Sequence, residues 1–234
     1  MIDLDRDGDV WVLTMRDGEN RFTQAWLEEF SAALDTVEAA DGARALVTAG
    51  TGKFYSTGLD LEWLRGAGDA GPGFLDGVHK LFGRLLGFPA VTVAAVTGHA
   101  FAAGAMLATA HDFVIMRADR GWWCLPEAEL GLPLTPAMYA VIATKLPRRT
   151  AAEAVLTGRR YPAEDALAAG IVHRTAAPDQ VIGDAIMLAK ALAGKDRRAL
   201  IAHKQLLYGE AISICAAGIG AEPGPAGRAG GAGE

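Results

Sequence analysis

The chain has 234 residues, 51% of them hydrophobic, enough for one α/β domain with a sizeable core. It carries 22 Lys and Arg against 28 Asp and Glu, a net charge of −6. That balance argues against a dedicated nucleic-acid surface, which needs a basic excess, and leaves room for a local basic patch beside a phosphate-bearing ligand.

Taken in chain order, the N-terminus MIDLDRDGDVW is acidic and lacks the apolar run of a secretory signal. Residues 9–15, DVWVLTM, are β-rich and read as a strand, followed by the turn RDGEN. A helix is expected from Thr23 as N-cap, with Trp26, Phe30, Ala33, Leu34 and Val37 on one stripe. Asp41-Gly42 ends it, and ARALVTA reads as a buried strand of parallel type. The loop GTGKFYSTGLD follows, with a short helix from Asp60. Residues 66–73, GAGDAGPG, read as a flexible surface loop and 74–87 as a helix stopped before Pro89. VTVAAVTG and Asp112 to Arg117 are further buried strands, with a fourth over Gly121 to Leu125.

The later chain reads as helical. Thr150 and Glu153 have the spacing of a capping box, Gly158 stops that helix, and Pro162 and Gly170 bracket the next. Stripes over 178–192 and 196–208 predict two more helices. Residues 218–234 form a low-complexity tail expected to be disordered. Cys124 and Cys215, the two cysteines, belong to no CxxC or Cys/His cluster. A disulfide framework or metal site is therefore not expected, and a cytoplasmic location is. The alternation of strand, loop and helix implies an α/β fold with parallel strands.

Pro89 to Ala110 reaches the roughly 20 residues a membrane span needs. Its β-branched start and the turn at Thr97-Gly98-His99 divide it into two short buried elements instead, so no membrane partner is expected. The second piece opens a helix near Ala103 and Gly104. Small residues at a helix start let another group approach unpaired N–H groups and a partial positive charge. Spacing alone leaves two readings there, an anion site and plain packing.

Four segments in register, KFYSTGLDLEWL, TGHAFAAGAMLATAHDFVIM, LPEAELGL and AAEAVLTGRRYPAEDALAAGIVHR, resemble the crotonase superfamily, the enoyl-CoA hydratase/isomerase family. The resemblance spans about residues 9–209. It implies a ββα spiral of four turns over residues 1–190, a C-terminal helical region over 191–217, and assembly as homotrimers or hexamers. It also implies an acyl-CoA substrate whose thioester enolate is held by two backbone N–H groups. Coenzyme A would enter as part of the substrate, with no separate cofactor and no metal.

Carried over by position, the oxyanion donors are Leu59, after Gly58 in a loop where Tyr55 replaces the usual Phe, and Ala103 in the turn Ala102-Ala103-Gly104. That turn is less glycine-rich than the family's, which is tolerable while Ala103 keeps negative φ. The acid/base is Glu127 in Pro126-Glu127-Ala128-Glu129-Leu130-Gly131, with Glu129 as its nearest rival. Met106 stands where hydratases carry a second glutamate. A single carboxylate suits moving a double bond, so the resemblance points to a Δ3-Δ2-enoyl-CoA isomerase. The family also leaves open a hydratase, a thioester hydrolase or a non-catalytic acyl-CoA binder. For the substrate and its CoA portion the candidates are Arg21, Lys53, Ser56, Thr57, Gly58, Gly104 and Met106. Trp122 and Trp123 read as either pocket wall or core, and the histidines are assigned no chemistry.

Overall fold

In the computed structural model, which describes residues 1–218, strands after the opening hairpin go alternately to different sheets. The first unit holds β1 (Ile2–Asp7), β2 (Val10–Met15), β3 (Arg21–Phe22) and α1 (Gln24–Ala39). The second runs through β4 (Ala45–Gly50), β5 (Phe54–Ser56), β6 (Gly58–Leu59), α2 (Leu61–Gly66) and α3 (Ala70–Leu86). The third is β7 (Val91–Val96), β8 (His99–Phe101) and α4 (Ala103–Thr109), and the fourth β9 (Phe113–Arg117), β10 (Trp123–Cys124) and α5 (Glu127–Leu130). Then come α6 (Pro136–Lys145), α7 (Arg148–Thr157), α8 (Ala163–Ala168), β11 (Arg174–Ala176), α9 (Val181–Leu192) and α10 (Arg197–Ala216).

The long strands make a six-stranded sheet of order β1-β2-β4-β7-β9-β11, parallel except for the β1–β2 hairpin. The short strands form a three-stranded sheet, β10-β8-β5, and the pair β3-β6. The third and fourth units each contribute one strand to the large sheet and one to the three-stranded sheet. The first gives β1 and β2 to the large sheet and β3 to the pair, and the second gives β4 to the large sheet and β5 and β6 to the small ones, which winds the chain into a spiral.

Side-chain alternation explains how the large sheet is buried on both faces. In β4, Leu46 faces the main core, while Ala45, Val47 and Ala49 face a second cluster built with Val181, Ala185 and Ala189 of α9. In β7, Ala94 and Val96 face the main core, and Val91, Val93 and Ala95 face α9. Thr23 caps α1, its Oγ1 accepting from the Trp26 amide at 3.2 Å. Phe22 stacks on Trp26 with centroids 3.9 Å apart, fixing the entry of α1 into the core.

Several expectations are corrected. The segment 66–73 is not all loop, because α3 already begins at Ala70. Gly71 packs against Leu64, and burial of Phe74 and Val78 one and two turns on outweighs the helix cost of about 1 kcal/mol per glycine. Thr150 is not a cap: α7 starts at Arg148 behind Pro147, and the Thr150 hydroxyl donates to the Ala169 carbonyl at 2.8 Å. Glu153 turns to Arg159 and Tyr161 instead. The last helix does not stop at 208 but continues to Ala216, with Ala211 and Cys215 buried. The strand read over 121–125 shortens to Trp123–Cys124 and joins the small sheet. β1 was not anticipated because its charged sequence suits only an edge position, which it occupies. The boundary drawn at 190 falls inside α9. Apart from Gly218, the tail lies outside the described residues.

Candidate active site

The site is built where three chain segments meet above the small sheets. The first is β6. The Asp60 amide donates to the Phe22 carbonyl at 3.0 Å, so the preceding Leu59 amide, by strand alternation, turns away from β3. The Ser56 hydroxyl holds this loop from inside, donating to the Asn20 carbonyl at 2.7 Å and accepting from the Gly58 amide at 3.0 Å.

The second segment is the start of α4. Ala102 sits at φ 51° and ψ −129°, a region that alanine rarely enters. It is pinned from both sides: its amide donates to the Cys124 carbonyl at 3.0 Å, and its carbonyl accepts from Ala105 and Met106 at 2.9 and 3.1 Å. Ala103 is thereby left helical and of negative φ, and the strain, of order 1–3 kcal/mol, falls on its neighbour. The amides of Ala103 and Gly104 precede the first turn's acceptors.

These two segments touch. A Cβ at Gly58 would stand 2.7 Å from the Ala103 nitrogen and 2.9 Å from that of Gly104, and one at Gly104 would stand 2.3 Å from the Ser56 carbonyl oxygen. Only glycine at both positions allows this approach, and Gly58 also needs its φ of 83°.

The third segment is the single turn α5. The Glu127 carbonyl accepts from the Gly131 and Leu132 amides, and Gly131 closes the turn in the left-handed conformation. Glu127 is only 9% exposed, and its Oε2 has no hydrogen-bond partner among the described residues. Burial raises its pKa above the ordinary carboxylate value, with its own backbone amide opposing. Such a carboxyl is poised to exchange a proton with whatever enters beside it.

Leu59, Ala103 and Glu127 all line one cavity of about 460 Å³. Its other walls are mainly apolar: Leu61 and Leu64 of α2, Leu75 of α3, Phe101, Leu132, Pro133 and Met138. Thr57 also lines it, as does Thr135, whose hydroxyl lies 2.9 Å from His79 Nε2. At the rim Glu129 pairs with Arg160 at 3.3 Å, both half exposed.

The remaining sequence candidates sit elsewhere. Gly58 and Gly104 form the seam just described, and Ser56 is a buried strut. Met106 is fully buried in the core and does not line the cavity. Arg21 is held by Glu19 at 2.7 Å and lies 3.9 Å from Asp60, and Lys53 lies over the Phe54 ring. Neither lines the cavity. Of the two tryptophans, Trp123 is core, its Nε1 donating to the Ala105 carbonyl, and Trp122 is exposed and packs on His99. His111, buried between Thr48 and the Leu107 carbonyl, is pushed by burial down to about 4 and stays neutral. Sequence reasoning missed the apolar walls and the strain at Ala102. The leucines at 61, 64 and 75 carry a helical pattern that signals burial but not against what.

A family model described as enoyl-CoA hydratase/isomerase matches residues 5–215. The chain belongs to the enoyl-CoA hydratase/isomerase family. It is 33% identical over 207 residues to enoyl-CoA delta isomerase 3 of Arabidopsis thaliana, covering 83% of this chain and 86% of that protein. A putative enoyl-CoA hydratase of Thermus thermophilus is 34% identical, covering 86% and 81%. The solved apo structure of a Mycobacterium tuberculosis enoyl-CoA isomerase superposes with a TM-score of 0.87 at 30% identity, covering 93% of this chain and 95% of that one. The fold is therefore the crotonase-type α/β spiral, and enzymes of this family act on acyl-CoA substrates.

Proposed function

We propose that this family member is a Δ3-Δ2-enoyl-CoA isomerase with Glu127 as its only acid/base. The observation that carries the reading is the Glu127 oxygen without a partner among the described residues, buried at the same apolar cavity that Leu59 and Ala103 line. The thioester oxygen is held by the Leu59 and Ala103 amides. Ionised Glu127 removes a proton from C2 of the 3-enoyl chain. The negative charge spreads from the thioester oxygen to C4 as a dienolate, which the two amides stabilise. Glu127 returns the proton to C4, leaving a 2-enoyl thioester and a regenerated carboxylate. Met106 supports the reading, since no second acid stands three residues beyond Ala103 to hold a water.

The CoA portion would run past Thr57 and the Lys53 loop, with Arg21 and Lys53 supplying charge near its phosphates. A homotrimer or a pair of trimers is the assembly proposed with it. One observation favours a second reading: Glu129 also lines the cavity, and two carboxylates would suit hydration. Its pairing with Arg160 weighs against this.

The test supplies purified protein with 3-enoyl-CoA and 2-enoyl-CoA in parallel and follows conjugated absorbance. Growth of the band from the first substrate, abolished in Glu127→Gln and retained in Glu129→Gln, is the expected result. Loss of the band from the second substrate, dependent on both glutamates, would replace the isomerase with a hydratase.

A further inference from the structure

A second cluster of charge, partly buried, lies where α6 and α10 meet the start of β9. Asp112 Oδ2 accepts from the Thr92 amide at 2.8 Å, the Thr92 hydroxyl at 3.1 Å and the Lys204 ammonium at 2.7 Å. Lys204 also donates to the Ala90 carbonyl at 2.8 Å, so this pair is well satisfied. Lys145 is not. Its ammonium donates to the Tyr208 hydroxyl at 3.2 Å and lies 4.7 Å from the centroid of that ring. No ion pair reaches it among the described residues, the nearby Asp112 being taken by Lys204.

Lys145 and Asp112 both line a cavity of about 170 Å³, and Lys204 holds Asp112 from behind it. No residue lines both this cavity and the one around Glu127. The wall offers further donors. His173 Nδ1 accepts from the Val114 amide at 3.0 Å, so the neutral ring carries its proton on Nε2. The Thr144 and Tyr208 hydroxyls are there as well.

We propose that this cavity binds a small free oxyanion, of the sulfate or phosphate class, at the Lys145 ammonium, with Tyr208, Thr144 and His173 as additional donors. Asp112 does not repel the anion because Lys204 already neutralises it. Burial and the Lys204 charge hold Lys145 down to about 8, with Asp112 opposing, so its ammonium is held less firmly than that of an exposed lysine. A bound anion stabilises the charged form. Affinity is accordingly greatest below this value and falls as pH rises through it.

The test uses the full chain and sulfate, whose charge is constant over this range, against chloride at matched ionic strength. Calorimetry should show specific binding at pH 6.5 that is lost by pH 9.5. Removing one charge-assisted contact in Lys145→Gln should weaken it by about tenfold or more, and Tyr208→Phe, which keeps the charge, by a smaller factor. Binding should be indifferent to added coenzyme A. Equal affinity in wild type, Lys145→Gln and Tyr208→Phe, no binding beyond that of chloride, or displacement by coenzyme A would each overturn the proposal.

Discussion

Glu127 and Asp112 are both acids shielded from water, yet the protein treats them in opposite ways. Asp112 has three donors on one oxygen, among them an ammonium. Glu127 has an oxygen with none among the described residues, in a cavity walled by leucines, and its proton is correspondingly easier to keep. Burial by itself thus says little about chemistry. What distinguishes a reactive acid from a structural one is whether its neighbours already satisfy it.

The contrast can be broken most sharply at Glu127. Glu127→Gln should lower turnover of 3-enoyl-CoA by about 10²–10⁴-fold with no loss of stability, read by absorbance kinetics beside a melting curve. Asp112→Asn should do the reverse. Leaving Lys204 buried without its partner should cost ~3–5 kcal/mol in denaturant unfolding, with kcat per folded molecule little changed. A variant that lost activity in proportion to neither would show the two clusters to be coupled.

Gly104→Ala tests the seam between the two backbone segments. A methyl 2.3 Å from the Ser56 oxygen must push α4 away from β5, and the loss of one amide contact should lower kcat by about 10²–10³-fold. A crystal structure of the variant should show the gap widened.

The pH profile sharpens the comparison further. Glu127 must be ionised to take the C2 proton, so kcat/KM should rise with pH through its raised pKa, on a limb displaced above ordinary carboxylates. Stability should run the other way. With the folded pKa above the unfolded one, the native state binds more protons in that window and loses stability as pH rises through it. Glu127→Gln should abolish both slopes. The smallest expected effect is at Ala102, where Ala102→Gly should relieve the positive φ and raise stability by about 1 kcal/mol, visible as a higher unfolding midpoint.

Much of this was legible in the sequence. The buried strands at 45–50 and 91–96, the Thr23 cap and the Gly158 stop follow from periodicity and from residues with strong local preferences. Positions 59, 103 and 127 came instead from the family resemblance, and the structure puts all three on the wall of one cavity. Less legible were the bounds of helices whose local signals mislead. Gly71 and Gly73 disguised the start of α3, and Thr150 mimicked a cap while its hydroxyl served Ala169.

The sequence by itself determined the long buried strands, the first helix with its cap, and which small residues could permit close backbone approach, since these depend on neighbours along the chain. Only the tertiary structure decided that Ala102 carries the strain, that Met106 faces the core, and that Glu127 is desolvated while Asp112 is saturated. Each of those outcomes is set by groups tens of residues away, and electrostatic environment is a property of space rather than of sequence order.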